Sequence, residues 1–194
     1  MSSYHHGNLR NALLEAAVEL GREGGPAAVG IRELARRTGV SPTAVYRHFT
    51  DRDDLLRAVA GVGVAELEEY MLRTVGRVRR TDPAERARRT LRAIGQAYVD
   101  FALEEPGLFA VALNAVTFAD LTAPYRLLTG ALDECAERGF VDQSKRHGAE
   151  LICWAGVHGF SMLHGTGPLR DAPRRERDAD LARLLDRIED SLRT

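Results

Sequence analysis

Apolar residues recur along this chain at the three- and four-residue spacing of α-helices, and no segment alternates apolar and polar residues as a strand would. The clearest case is residues 31–38, where Ile31, Leu34 and Ala35 share one face and charged residues fill the other. Gly39 follows at the position where helices commonly end in a left-handed residue. The pattern therefore predicts a short amphipathic helix that stops at Gly39.

A second short helix is predicted directly after this stop. Ser41 offers an N-cap oxygen, and Pro42 suits the first turn, where its missing N–H costs nothing. Val45 and Phe49 then recur at helical spacing and face inward. Two helices joined by a three- or four-residue turn containing glycine form the helix-turn-helix pattern, whose second helix enters the major groove of DNA.

The rest of the chain also reads as helices. Thr50 to Asp53 has the form of a capping box with Thr50 as its first residue, and it opens a long predicted helix over 51–78. The other predicted helices cover 8–23, 82–105, 107–118, 123–138, 144–164 and 178–192. The expected fold is all-α with about nine helices: an N-terminal three-helix domain, residues 1–52, joined by a long helix to a helical C-terminal domain, residues 53–194.

Composition narrows the class of protein without fixing it. The net charge is −1, but residues 1–52 hold seven arginines against five acids, so the positive bias lies with the helix-turn-helix. Two cysteines cannot build a disulfide framework, and we expect both to be reduced. No apolar run approaches the ~20 residues that span a bilayer, which indicates a cytoplasmic protein without a membrane partner.

Residues 31–56 resemble the DNA-binding domain of the tetracycline-repressor family of bacterial transcription regulators. Two further segments resemble one subgroup of that family: the opening run 4–10, and Trp154-Ala155-Gly156-Val157-His158-Gly159, which is similar to the Trp-x-x-x-His-Gly signature of its C-terminal domain. The resemblance implies a homodimer that represses by binding a near-palindromic DNA operator and releases it when a small effector binds. Neither a cofactor nor a metal is expected.

For the DNA interface, the resemblance implies that Arg32, Pro42 and Thr43 approach base edges. Side chains expected on phosphates are those of Tyr46, His48 and Arg52. The complete predicted DNA-binding set is Arg32, Ser41, Pro42, Thr43, Ala44, Tyr46, Arg47, His48 and Arg52. A solvated surface is the alternative for Arg36, Arg37 and Arg47. The pair His5 and His6 makes a poor metal site and belongs either to an arm along the DNA or to a disordered tail.

For the C-terminal domain, the resemblance implies a cavity for a small apolar or aromatic effector. The predicted lining is Leu67, Tyr70, Met71, Tyr98, Phe101, Phe109, Leu113, Phe118, Trp154, His158 and Met162, with Tyr125 also considered. Core packing is the alternative for each of these, and His158 is either a ligand-orienting group or a satisfied core histidine. The last two long helices are expected to pair with their copies as a four-helix bundle, with Gly148, Gly156 and Gly159 allowing close approach.

The alternatives to a ligand-released repressor are an enzyme and a regulator without a small effector. No catalytic motif or metal-ligand spacing supports an enzyme. A regulator whose C-terminal domain serves only dimerisation or a protein partner stays open as the alternative. An arginine cluster, Arg77, Arg79, Arg80, Arg86, Arg88, Arg89 and Arg92, is read either as a solvated face or as a second nucleic-acid site.

Overall fold

The computed structural model describes residues 3–79, 82–114 and 122–193, with the backbone alone at 3–8, 114 and 122. These ranges contain nine α-helices and one short 3-10 helix, without a strand, so the all-α prediction is confirmed. The helices are α1 Ser3–Ala28, α2 Ile31–Thr38, α3 Pro42–Tyr46, α4 Arg52–Val75, α5 Pro83–Glu104, α6 Pro106–Asn114, α7 Thr122–Glu137, α8 Ala149–Gly165 and α9 Arg174–Leu192. None of the described helices is both long enough and apolar enough to cross a membrane.

The helices pack into two compact units. The N-terminal unit comprises the described residues up to Glu66 and from Glu105 to 114, and the C-terminal unit comprises those from Leu67 to Glu104 and from Thr122 onward. The helix α4 therefore contributes its first part to one unit and its last part to the other. This is a division by packing; the functional boundary between residues 52 and 53 stays a prediction.

The N-terminal unit is built on α1, which the two glycines after Glu23 interrupt. Gly25 has φ +60°, so the helical backbone breaks there, close to the predicted helix end at residue 23. Further contact comes from α6, whose first turn lies against the end of α1. A Cβ atom on Gly107 would stand 2.3 Å from the carbonyl oxygen of Arg22, so only glycine fits this approach.

Several helix starts differ from the prediction: α1 begins at Ser3 rather than residue 8 and α9 at Arg174 rather than residue 178, and the cap of α4 and the start of α8 differ as well. The cap of α4 is formed by Asp51 rather than Thr50, since Asp51 Oδ1 accepts from the N–H of Asp54 at 2.7 Å. Asp54 Oδ2 in turn accepts from the N–H of Thr50 at 2.9 Å, one residue before the cap, so the two bonds do not form the reciprocal pair of a capping box. The helix predicted over 144–164 begins at Ala149, because Gly148 has φ +77° and a 3-10 turn precedes it.

The C-terminal unit packs α5 against α7, α8 and α9. Its core comes from the predicted inward faces of α5 and α9, which bury Leu91, Ile94, Leu181 and Leu185. Small residues let the helices approach: a Cβ atom on Gly95 would stand 2.9 Å from Leu185 Cδ2. In the same unit Cys135 and Cys153 are buried free thiols, and burial raises their pKa to about 12 and about 11.

Candidate nucleic-acid interface and apolar cavity

The short helix α3 is fixed by its cap and by two buried side chains. Ser41 Oγ accepts from the N–H of Ala44 at 3.2 Å, with Pro42 in the first turn. Val45 and Phe49 are 0% and 1% exposed and anchor the helix to the rest of the unit. A five-residue helix is not stable alone, so this packing sets its position.

The outer face of the helix-turn-helix carries polar, aromatic and basic side chains. Thr43, Tyr46 and Arg47 on and after α3 are exposed, as is Arg32 in the first turn of α2. Tyr46 is 54% exposed, which is unusual for so large an apolar ring. Within the part of the chain that the structure describes, no hydrogen bond or ion pair holds the side chains of Arg32 and Arg47. Both arginines are therefore available to a negatively charged partner.

The other two arginines of α2 are already paired. Arg36 contacts Glu33 with Nε···Oε2 at 2.9 Å, and Arg37 contacts Glu23 with Nη2···Oε1 at 2.6 Å. Hydrogen bonds from these arginines lower the pKa of both glutamates, although the pairs are exposed. The arrangement favours the reading of Arg36 and Arg37 as a solvated face.

Arg52 holds the backbone at the start of the helix-turn-helix. Its Nε donates to the carbonyl of Val29 at 2.9 Å, and its Nη2 donates to the carbonyl of Pro26 at 2.5 Å. These bonds fix the segment that leads into α2. The sequence pattern gave no signal for this role, because the two partners are backbone carbonyls 23 and 26 residues away.

The C-terminal unit encloses an apolar cavity with a volume of about 50 Å³. Met71, Tyr98 and Trp154 of the proposed effector-binding set belong to its wall, and the wall also includes residues outside that set, such as Leu91, Ile94, Leu128 and Val157. The arginine of α5 at position 92 and Glu189 of α9 form its charged edge.

The remaining predicted lining residues lie elsewhere. Phe109 and Leu113 belong to the N-terminal unit, and Met162 is 46% exposed on α8, so these three do not line this cavity. Leu67 and Phe101 are buried core residues. Phe118 lies outside the described residues, as do the side chains of His5 and His6.

Tyr98 in the cavity wall contacts two other aromatic side chains, His158 through a hydrogen bond and Trp154 through its ring. Tyr98 Oη and His158 Nδ1 are 3.0 Å apart, and the Tyr98 ring meets Trp154 edge-on with centroids at 6.2 Å. Burial raises the pKa of Tyr98 and lowers the pKa of His158, so both groups are neutral near pH 7. Tyr70, by contrast, donates from Oη to Glu104 Oε2 at 3.1 Å and packs edge-on against Phe101.

A buried carboxylate at the edge of the cavity was missed by sequence reasoning. Glu189 is 4% exposed and is held by Arg88 Nη2 at 2.8 Å and Arg92 Nη1 at 3.1 Å. The two arginines compensate the charge of the glutamate, which would otherwise be costly to bury. The sequence offers α9 as an amphipathic helix, and nothing in that pattern distinguishes Glu189 from its solvated acidic neighbours.

Two family models match this chain, one over the helix-turn-helix and one over the C-terminal helices. Residues 13–59 match the model of the bacterial regulatory proteins of the tetR family. Residues 91–188, half of the chain, match the model of the tetracyclin repressor-like C-terminal domain. The chain belongs to the tetracycline-repressor family. It is a DNA-binding transcriptional regulator, and its family is not one of enzymes.

Individual relatives agree with membership of the tetracycline-repressor family. The chain is 26% identical over 192 residues to the uncharacterized HTH-type transcriptional regulator YobS of Bacillus subtilis (strain 168), covering 97% of this chain and 91% of that protein. A protein with unknown function from Rhodococcus sp. RHA1 has 29% identity and a TM-score of 0.79 over the full length of both chains. A single-residue variant of TetR from Acinetobacter baumannii AYE, solved in complex with minocycline, shares the fold with a TM-score of 0.66 and 22% identity, over 93% and 94% of the two chains.

Proposed function

We propose that this regulator is a homodimeric repressor that binds a near-palindromic operator and leaves it when a small apolar effector enters the C-terminal unit. The observation that carries the proposal is the geometry of α3. Val45 of α3 and Phe49, three residues after the end of that helix, are buried, while Thr43, Tyr46 and Arg47 on and just after the helix are exposed, as the reading helix of a helix-turn-helix requires.

The proposed DNA contacts divide into base-reading and backbone-binding groups. Arg32, Pro42 and Thr43 approach base edges, and a bidentate contact from Arg32 to guanine is worth about 1–3 kcal/mol of discrimination. Phosphates are contacted by Tyr46, Arg47 and His48. The remaining members of the proposed interface, Ser41 and Ala44, lie in the first turn of α3 beside them. Arg52 adds positive charge, although two of its nitrogens already hold the backbone before α2.

The proposed dimer surface lies on α8. Leu151, Ile152, Met162 and Leu163 are 75%, 51%, 46% and 45% exposed, and their spacing places them along one side of the helix. Such an exposed apolar stripe marks an interaction surface. Gly159 lies on the same side, and a Cβ atom there would meet nothing within 4 Å. The stripe supports pairing with a second copy, together with α9, as a four-helix bundle.

The other two glycines predicted for this interface take different roles. Gly148 precedes α8 and is not part of it. Gly156 faces α9 of its own chain, where a Cβ atom would stand 2.9 Å from Ile188 Cδ1. Close approach of a partner at α8 therefore rests on Gly159.

The cavity supports the effector part of the proposal. Its lining is almost wholly apolar, and the two charged residues at its edge are paired with each other. At about 50 Å³ it must widen to hold a drug-sized molecule, so a bound effector favours a wider conformation of the C-terminal unit. Trp154 lines the cavity and His158 contacts Tyr98 in its wall, which supports placing the chain in the subgroup with the Trp-x-x-x-His-Gly signature.

Titration of operator DNA tests the repressor at stated salt concentrations, beginning with DNA that flanks the gene for this chain. Arg47→Gln is expected to weaken binding about equally on all sequences and to reduce the salt slope by about one. Arg32→Ala is expected to relax base preference, with a loss of about 1–3 kcal/mol on the best site. The control is Arg138→Gln, an exposed arginine just after α7 that lies outside both the proposed DNA interface and the proposed dimer surface. Equal behaviour of all three variants would overturn the proposed interface.

Release by an effector is tested on the complex of the protein with its operator DNA. A compound that enters the cavity is expected to change the fluorescence of Trp154, raise the melting temperature and release the operator. Release of the operator by a protein partner, without a response to apolar compounds, would support the alternative in which the C-terminal unit serves dimerisation and partner binding alone.

A further inference from the structure

A second concavity of the C-terminal unit lies between the end of α4 and α5, and half of its described lining residues are arginines. Its volume is about 460 Å³, and its lining includes Arg77, Arg79, Arg89 and Arg92. Among the residues that the structure describes, no aspartate or glutamate belongs to that lining. We call this concavity the arginine groove.

The charge of the arginine groove is only partly compensated. Arg89 Nε binds Glu85 at 2.8 Å, and Arg92 Nη1 binds Asp186 at 2.8 Å. Within the described ranges, Arg77 and Arg79 have no carboxylate partner. Positive charge that converges on a concave surface attracts anions from solution.

The arginine groove and the apolar cavity share one residue, Arg92. The Arg92 side chain is 26% exposed and stands where the apolar lining of the cavity gives way to the charged lining of the groove. An unpaired charge does not enter an apolar cavity without a large cost. A molecule with both characters would place its apolar part in the cavity and its charge in the groove.

We propose that the arginine groove binds the anionic head of an amphipathic effector whose apolar part occupies the cavity. The inference rests on the proposed effector role and narrows its chemistry to a phosphate or carboxylate on an apolar chain or ring. Arginine suits both heads, because its planar fork of donors matches carboxylate and phosphate oxygens. Under this proposal, the arginines of the groove bind a ligand instead of forming only a solvated face.

Matched probes that differ only in the head group test the proposal. Octan-1-ol, octanoate and octyl phosphate are titrated into the protein while the fluorescence of Trp154 is followed; it is the only tryptophan and lines the cavity. At low salt, at least one charged probe is expected to bind about tenfold or more tightly than octan-1-ol. The preference is expected to shrink as salt is raised, since the groove is open to solvent.

Two double variants test whether the charged head group binds in the arginine groove. Arg77→Gln/Arg79→Gln is expected to remove most of the charged-probe preference and to leave the affinity for octan-1-ol unchanged. The control, Arg174→Gln/Arg175→Gln, removes two exposed arginines at the opposite end of α9 from Glu189 and is expected to leave both affinities unchanged. Melting temperatures of all proteins check that the variants are folded.

Several results would overturn the proposal. Equal affinity of the normal chain for octan-1-ol and both charged probes would leave an apolar effector site without an anion site. Weaker operator binding by Arg77→Gln/Arg79→Gln in the absence of any octyl compound would make the groove a nucleic-acid surface. If no octyl compound changes Trp154 emission, the amphiphile is excluded, and operator release by other apolar compounds then decides the effector role separately.

Discussion

At the scale of single residues, His158 is the group whose ionisation most directly connects pH to the cavity. Its Nδ1 lies 3.0 Å from Tyr98 Oη, and desolvation lowers its pKa below the ordinary histidine value of 6.5. The folded chain therefore binds a proton on this imidazole less readily than the unfolded chain does. Stability from this residue is complete above the ordinary pKa and is lost as pH falls toward the lowered one.

We expect the free energy of unfolding to fall when pH is lowered from about 7.5 to 5.5, with part of the loss removed in His158→Gln, which cannot titrate. Urea unfolding at a series of pH values measures this change in the free energy of unfolding. His147→Gln is the matched control, because His147 is an exposed histidine of the same unit. Identical pH dependence in the normal chain and in His158→Gln would show that this imidazole does not contribute.

Residue patterns predicted some of the cavity and could not predict the rest. The i, i+4 spacing of Trp154 and His158 correctly indicated that they share a side of α8. Met162 was predicted to line the cavity but is exposed on α8. The prediction was wrong because α8 is apolar on nearly all sides, and periodicity alone cannot separate its inner face from a face that meets a partner. The prediction that Phe109 lines the cavity was wrong for a different reason. Its helix, α6, packs in the N-terminal unit, and the contacts that place it there join residues distant in sequence.

At the scale of elements, one arginine connects three segments of the N-terminal unit. Arg22, near the end of α1, binds Glu66 of α4 through Nη2 at 2.8 and 2.7 Å and contacts Glu105, which immediately precedes α6. Burial alone would lower the pKa of Arg22, but the hydrogen bonds that Arg22 donates to Glu66 and Glu105 outweigh it and raise that pKa. The cluster therefore holds α1, α4 and the start of α6 together.

Arg22→Met keeps the apolar stem and removes the charge, leaving two neighbouring carboxylates without their cation. We expect a loss of about 1–3 kcal/mol in the free energy of unfolding, measured by urea denaturation followed by circular dichroism. Arg73→Met is the control, because its i, i+4 pair with Glu69 is exposed and such pairs contribute about 0.3–0.5 kcal/mol. A loss no larger than that of the control would contradict a structural role for the cluster.

Element boundaries show where local sequence rules suffice. The start of α5 was predicted correctly, because Asp82 caps it by accepting from the N–H of Glu85 at 2.7 Å and Pro83 fits the first turn. For α4, Thr50 and Asp51 both satisfy the cap pattern, and the choice between them depends on side-chain geometry. The helix predicted over 144–164 begins later than expected, because Gly148 has a positive φ and α8 starts only after it.

At the scale of the whole molecule, the exposed apolar stripe on α8 requires an explanation. Leu151 is 75% exposed, and with Ile152, Met162 and Leu163 it would present a continuous apolar surface to water in an isolated chain. The outward residues of α9 are mostly charged, so they suit the rim of an interface whose apolar centre is α8. A second copy of the chain, related by a two-fold axis, would cover the stripe with the same stripe.

We expect Leu151→Glu/Met162→Glu to convert a dimer into a monomer, because two pairs of like charges would meet across the axis in place of apolar contacts. Analytical ultracentrifugation measures the change in mass. Leu72→Glu is the matched control, since Leu72 is a 48% exposed leucine on α4 outside the proposed interface. Dissociation by Leu72→Glu, or a dimer that persists in the α8 double variant, would place the interface elsewhere.

The same variant connects assembly to DNA binding. Two reading helices about 34–36 Å apart enter successive major grooves on one face of the operator, and their contacts add because the dimer binds as one body. A monomer keeps an intact α3 but offers only half of the contacts. Operator affinity of Leu151→Glu/Met162→Glu is therefore expected to fall by about a hundredfold or more, while Leu72→Glu binds normally. Full operator affinity from a confirmed monomer would mean that one helix-turn-helix suffices, and the near-palindromic operator would no longer be required.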